Sequence, residues 1–418
     1  MKHIITSIIL LNCYLLHAQK TYVPDNNFEQ ALIDLGYDNA LDDSVLTANI
    51  SGITSLDVGN NEISDLTGIE AFTSLTNLYC NYNNLTSIDI SSNTALITLM
   101  LLYNNDLDSL DVSNNTALTT LRVGSDQLTS LDVSNNTALT DLYCWCELTA
   151  FDVSANTALT YLDVQDNDLD SLDVSNNTAL TELRLYKNNL TSLDVSNNTA
   201  LINLYCSDNN LTSLDVSNNT SLMSLGCSNN DLTVLDVSNN TALTQLYCDN
   251  ISLTSLDLSS NTALTLFYCQ DNELTYLNMR NGITDALTTF DATDNTSLSC
   301  IETLDPDYAT ANWTYANGNI DEGVLFSETC SPGCTDPYAG NYDSTAAIDD
   351  GSCTNYPDNG EYYLSFDGVD DGVTINDNQS LDLTTASITA WVKSTTNDSL
   401  WQTFYPKDRI RTNLMGFF

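Results

Sequence analysis

Between about residues 51 and 300 the chain sets apolar residues in short alternating bursts, each closed by an asparagine-rich turn. The stretch from Leu201 through Ser221 shows the grammar in two similar halves, Leu201-x-x-Leu204-x-Cys206-x-x-Asn209 and Leu211-x-x-Leu214-x-Val216-x-x-Asn219. Alternation is the period of a strand, so each half reads as one short strand and one turn. Leu204, Cys206, Leu214 and Val216 should point inward, with Tyr205 and Asp215 outward. The unit recurs. Asp152, Asp173, Asp194, Asp215, Asp236 and Asp257 lie 21 residues apart, and Asp89, Asp111 and Asp132 continue the series upstream with spacings of 22, 21 and 20. One such unit buries too little apolar surface to offset the ordering of its own backbone, so successive units must stack on a shared core.

This pattern, LxxLxLxxNxL, resembles the leucine-rich repeat family, and in particular its nested bacterial subclass with 21-residue units. The resemblance implies a mostly-β solenoid over residues 51–300 with parallel strands on two faces. Asn209 and Asn219 then sit at turns, where a buried amide can bond the backbone of the next coil.

Both ends depart from the repeat. Over residues 19–50, "VPDNNFEQALIDLGYD" predicts a short helix that caps the solenoid: Asn26 with Glu29 can form a capping box, Gly36 suits the stop, and Phe28, Leu32 and Leu35 share a face. Residues 301–332 read as a C-terminal cap closed by Cys300 and Cys330, although the four cysteines from Cys300 onward allow three pairings. Residues 333–354 resemble a short cysteine-bounded acidic module of exported bacterial proteins, with Cys334 and Cys353 as its bridge. Asp336, Asn341, Asp343, Asp349 and Asp350 offer it the hard oxygens calcium prefers. Their spacing does not match an EF-hand loop, and the competing reading is an acidic, disulfide-stapled linker. From residue 361 onward, "YYLSFDGVDDGVTI" and "SITAWVK" look like the opening strands of a laminin-G or concanavalin-like jelly roll. Such a sandwich needs about a hundred residues, so 361–418 is expected to be a truncated β-sandwich start.

The segment "LTDLYCWCEL" puts Cys144 and Cys146 on either side of Trp145 and raises the question of a redox or metal site. Cys144 shares its slot with Cys80, Cys206, Cys227, Cys248 and Cys269, a slot filled elsewhere by Leu101, Val123, Val164 and Leu185. Cysteine therefore stands in for a small hydrophobe. Stacked side chains about 4.8 Å apart are also wider than the disulfide Cβ spacing of about 3.8 Å, so buried free thiols are expected. Cys146 falls in the coil shortened to 20 residues, where the turn asparagine is lost.

Compartment and charge narrow the function. Lys2 and His3 precede an apolar run ending at Leu16-His17-Ala18, the form of a signal peptide over residues 1–18, so the protein is expected to be secreted or held at the surface of a bacterium. Both histidines leave with that leader, which excludes an imidazole base or a histidine zinc ligand. No cofactor is expected beyond the calcium alternative. With 10 basic against 56 acidic residues and a formal charge of -46, the chain should repel nucleic acid and anionic lipid. Neutral glycans, basic proteins and cations remain admissible partners, with acidity for solubility or a saline habitat as the competing explanation.

The two strand faces differ. One repeats Ser-Asp-Ser almost unchanged, whereas the other varies from coil to coil and carries Tyr79, Arg122, Asp141, Tyr143, Trp145, Tyr161, Asp163, Arg184, Tyr186, Tyr205, Tyr247 and Tyr268. A varying face with aromatics suits recognition. We expect Arg122, Tyr143, Trp145, Tyr161, Asp163, Arg184, Tyr186 and Tyr205 to form the ligand surface of a non-enzymatic adhesion or recognition protein that binds an extracellular glycan or protein. The alternatives are the non-catalytic front half of a carbohydrate-active enzyme and a structural stalk.

Overall fold

A computed structural model describes residues 19–337 and 339–354. The expected leader at 1–18 and the expected β-sandwich start at 361–418 lie outside the described residues. The repeat builds a ladder of parallel strands: β3 (Ser55–Asp57), β4 (Asn77–Tyr79), β5 (Thr98–Leu101), β6 (Thr120–Gly124), β7 (Asp141–Trp145), β8 (Tyr161–Asp163), β9 (Glu182–Arg184), β10 (Asn203–Tyr205), β11 (Ser224–Gly226), β12 (Gln245–Tyr247), β14 (Leu266–Tyr268) and β16 (Thr289–Asp291). These twelve form one sheet with neighbours in chain order. Leucines pair with leucines along it, as in Leu183 with Leu204 and Leu204 with Leu225. That register, rather than any single coil, makes the core continuous.

The inward and outward assignments hold. Cys206 and Val216 are fully buried and Leu214 nearly so, while Asp215 is exposed and Tyr205 half-exposed. The cysteine slot is sealed all along the solenoid: Cys80, Cys144, Cys206, Cys227, Cys248 and Cys269 are buried free thiols. Burial pushes the Cys206 thiol up to about 12, which keeps it protonated and unreactive.

Two asparagine ladders tie the coils together. Asn209 donates from Nδ2 to the carbonyls of Leu185 and Cys206, and its Oδ1 accepts from the Leu190 amide. On the other turn, Asn219 donates to the carbonyls of Val195 and Asn198. Both residues are buried. Asn209 thus serves backbone groups of its own and the preceding coil, whereas Asn219 ties its turn to two carbonyls of the preceding coil.

The strands do not run equally on both faces. Among the described residues, the Ser-Asp-Ser side carries paired strands only in β13 (Ser255–Asp257), β15 (Tyr276–Met279), β17 (Cys300–Thr303) and β18 (Leu325–Ser327). In earlier coils the aspartate turns back on its own chain: Asp215 Oδ1 accepts from the Ser217 amide at 2.9 Å, and Asp111, Asp132, Asp152, Asp173, Asp194 and Asp236 do the same two residues on. Asp257 of the paired β13 makes the same bond to the Ser259 amide, so the bond builds the turn that follows and does not decide whether the strand pairs. These aspartates are turn formers, which accounts for their near-invariance from coil to coil.

At the N-terminal end, β1 (Lys20–Tyr22) and β2 (Ser44–Leu46) pair antiparallel beside helix α1 (Asn26–Asp34) and the short α2 (Thr47–Ile50). The helix is capped one residue earlier than the expected box. Asp25 is the N-cap, accepting from the amides of Asn27 and Phe28, and Glu29 instead reaches the amides of Asp42, Asp43 and Ser44. A shorter carboxylate one position upstream meets the free helical N–H groups directly and releases the glutamate. Gly36 ends the helix at φ +80°, as glycine there should. Phe28 and Leu32 enter the core, with Phe28 6.4 Å from Phe72, but Leu35 stays at the surface.

At the other end the parallel ladder continues past residue 300 through β17 and β18, and α3 (Pro306–Asn312) leads to Trp313, whose ring lies 4.6 Å from Phe290 and 5.8 Å from Phe326. The expected bridges form, Cys300 with Cys330 and Cys334 with Cys353, at Cα separations of 5.8 and 4.8 Å. No helix among the described residues is long and apolar enough to cross a membrane.

Candidate functional site

The variable face of the twelve-stranded sheet is a grid. Each coil projects outward its first, third and fifth positions, such as Asp141, Tyr143 and Trp145 of β7, and the parallel register sets them beside Tyr161 and Asp163 of β8 and Arg122 of β6. The residues singled out in the sequence therefore lie in adjacent coils on one surface.

Their contacts are specific. Trp145 donates from Nε1 to Asp163 Oδ1 at 3.2 Å, the Tyr161 hydroxyl donates to Asp163 Oδ2 at 3.1 Å, and Asp163 itself is 0% exposed. Asp163 was expected to meet ligand; it instead lies beneath the rings and holds them. Burial raises its pKa, against the hydrogen bonds it accepts from Gln165, Trp145 and Tyr161. Tyr143 is also nearly covered, its ring 4.3 Å from that of Trp145. The half-exposed members are Arg122, Trp145, Tyr161, Arg184, Tyr186 and Tyr205.

Every cation on this face is already held. Arg122 grips Asp141 with two bonds of 3.0 and 3.1 Å, Arg184 meets Glu182 at 2.6 Å, and Lys187 meets Asp166 at 3.1 Å. The Arg184 guanidinium also lies 5.8 Å from the Tyr161 ring and 5.4 Å from that of Tyr205, a cation sandwiched between aromatics of neighbouring coils. Farther along, Tyr247 stacks on Tyr268 at 5.7 Å. The result is a preorganised aromatic and ionic surface whose rings are fixed before any partner arrives.

The break in the asparagine ladder shapes its centre. Ser125 and Cys146 stand near the turns of two consecutive coils that lack the ladder asparagine; the Ser125 hydroxyl bonds the Leu107 carbonyl at 2.6 Å, and Cys146 packs its sulfur 2.8 Å from that of Cys144. Without the turn asparagine the strand runs on, and β6 and β7 reach five residues where most others have three. That extension carries Gly124 and Trp145 onto the face in register. Gly124 leaves a notch of about 160 Å³ lined by Leu102, Tyr103, Asn105, Gly124, Ser125, Asp126 and Trp145. A second cavity of about 230 Å³ follows on the other side of that coil, lined by Glu147, Asp166, Asn167, Asp168 and Lys187. Apart from Trp145 and Lys187, a basic residue that the sequence places on or beside this face, none of these residues was singled out from the sequence; the signal available there was a glycine at an outward position that other coils fill.

In the acidic module the proposed calcium oxygens serve local turns. Asp343 accepts from Thr345, Asp349 from the Gly351 amide, Asp350 from the Ser352 amide, and Asn341 bonds Ser352 and Thr354. Among the described residues no group of three or more His, Cys, Asp or Glu side chains is gathered as a metal site would need.

No family model matches the chain. Over 73 residues, 18% of its length, it is 40% identical to Internalin J of Listeria monocytogenes serotype 4b (strain F2365), and the match spans only 8% of that protein. Among solved structures, the functional domain of InlJ from Listeria monocytogenes, which includes a cysteine ladder, is similar at 33% identity with a TM-score of 0.54, covering 68% of this chain and 76% of that one. A TDR receptor shares the fold at 19% identity and a TM-score of 0.51, over 62% of this chain and 52% of that one.

Proposed function

The chain belongs to the internalin-like leucine-rich repeat proteins, and on that premise we propose that it is an exported bacterial adhesion or recognition protein, without catalytic activity, that binds an extracellular protein through its variable face. The observation that carries this reading is the surface around Trp145, Tyr161 and Arg184. Aromatic rings are held there by buried or paired partners, Asp163 beneath and Glu182 beside, while the opposite face spends its aspartates on its own turns. Fixed aromatics with arginine are the composition of interface hot spots, and the similarity to a bacterial internalin domain supports an extracellular setting. A glycan is the second reading, favoured by exposed ring faces such as those of Trp145 and Tyr161 on which sugars stack.

The test is an array carrying both extracellular proteins and glycans, probed with the chain and with a Trp145→Ala, Tyr161→Ala, Arg184→Ala variant. Protein spots that disappear with the variant support the proposal. Spots that persist undiminished overturn it, and loss confined to glycan spots transfers it to the second reading.

A further inference from the structure

We propose that the notch over Gly124 is a subsite for one cationic side chain, a lysine or arginine of a basic partner protein. This rests on the variable face being the recognition surface and names what that surface reads. The notch has the parts such a subsite needs. Trp145 and Tyr103 contribute aromatic walls and Leu102 an apolar one, and Tyr103 is braced by stacking on Tyr82 at 4.4 Å. An ammonium or guanidinium over such rings is attracted by their negative faces. Asp126 supplies a carboxylate at the exposed rim. The four ion pairs among the described residues engage Asp42, Asp141, Glu182 and Asp166, and none of them engages Asp126.

Size and field select the same occupant. A volume of about 160 Å³ is below the few hundred Å³ of a drug-sized pocket and suits a single side chain. The next cavity along the rim sets three carboxylates, Glu147, Asp166 and Asp168, against Lys187, whose ammonium Asp166 already holds. The potential is therefore negative on both sides of the Trp145 wall, within a chain of formal charge -46, and it draws basic partners and repels acidic ones. The notch itself needs a small residue at position 124: a Cβ there meets Leu102 and Tyr103 at 3.5 Å, which is ordinary contact, so a larger side chain fills the space without displacing backbone.

The experiment titrates the purified chain with N-acetyl-arginine amide, with its uncharged isostere N-acetyl-citrulline amide, and with glucose, following the Trp145 indole N–H by NMR. The indole signal is assigned through Trp145→Phe. The proposal expects saturable binding of the arginine amide, at least fivefold weaker binding of the citrulline amide, a several-fold loss in Asp126→Asn, and no binding in Gly124→Leu, whose thermal midpoint checks that it is folded. Should Gly124→Leu not fold, Gly124→Val is the substitute, with the same expectation. Equal binding of both amides, wild-type binding by folded Gly124→Leu, or a glucose response without an arginine response overturns it. If array binding depends on Tyr161 and Arg184 while the arginine amide leaves Trp145 unmoved, the subsite alone is wrong. If the amide binds but array binding ignores those residues, the wider surface is wrong and the subsite stands.

Discussion

Trp145 and Asp163 sit in neighbouring coils and are joined by one hydrogen bond of 3.2 Å, the indole donating and the buried carboxylate accepting. Because Asp163 is covered, its effect on binding must pass through the rings it orients. Asp163→Ala is expected to weaken partner binding about as much as Trp145→Ala, roughly tenfold or more for a hot-spot residue, and the double variant to lose little beyond either single one. Affinities measured for the set check this; additive losses would mean that Asp163 touches the partner itself.

The asparagine ladders carry stability between coils. Asn209→Ala leaves the buried Leu190 amide without its partner, at a cost of about 1–3 kcal/mol, and removes one of the two asparagine donors on each of the Leu185 and Cys206 carbonyls, which keep Asn188 and Asn230. A large fall in thermal midpoint is expected, against a small one for the exposed Asn210→Ala. Similar midpoints for the two variants would contradict the role given to the ladder.

The thiol slot is packing. Cys80, Cys144, Cys146, Cys206, Cys227, Cys248 and Cys269 should resist an aromatic disulfide reagent at pH 8 in the folded chain and react in guanidinium. Cys206→Val should be mild, since Val123 and Val164 fill the same slot, whereas Cys206→Ser buries a hydroxyl at a cost of about 1–3 kcal/mol. Thiol titration and denaturant midpoints measure both effects.

Acid should loosen the constant face. Hydrogen bonds from the serine two residues on, side chain first and backbone second, hold Asp132, Asp173 and Asp215 below the ordinary aspartate value. A depressed folded pKa gives stability that is complete above the unfolded value of about 4 and is lost as pH falls through the folded values. Asp163, raised by burial, acts in the opposite sense and is relieved by protonation. Thermal midpoints from pH 7 to pH 2 should drop below about pH 4. A Ser175→Ala, Ser196→Ala, Ser217→Ala variant should drop less, and an unchanged acid limb would refute the link.

Period alone revealed the coils, the buried cysteines and the face that varies, because a stacked repeat gives each position one environment. Cys144 is buried for the reason Leu101 is. What period could not reveal depends on neighbours. Asp163 occupies an outward position, yet Trp145 from the preceding coil and Tyr161 of its own strand fold over it. The α1 cap slipped to Asp25 because two adjacent residues can both cap, and only the path of the chain chooses. The notch required knowing that Gly124 and Trp145 are in register, which follows from the two coils without the turn asparagine.

The most direct measurement compares opposite faces of the same coils. A Tyr161→Ala, Tyr186→Ala, Tyr205→Ala variant and an Asp173→Ala, Asp194→Ala, Asp215→Ala variant are applied to the array beside the unaltered chain, with circular dichroism confirming that each is folded. The account predicts that the tyrosine variant loses the protein spots and the aspartate variant keeps them. The reverse pattern, or equal retention by both, would contradict it.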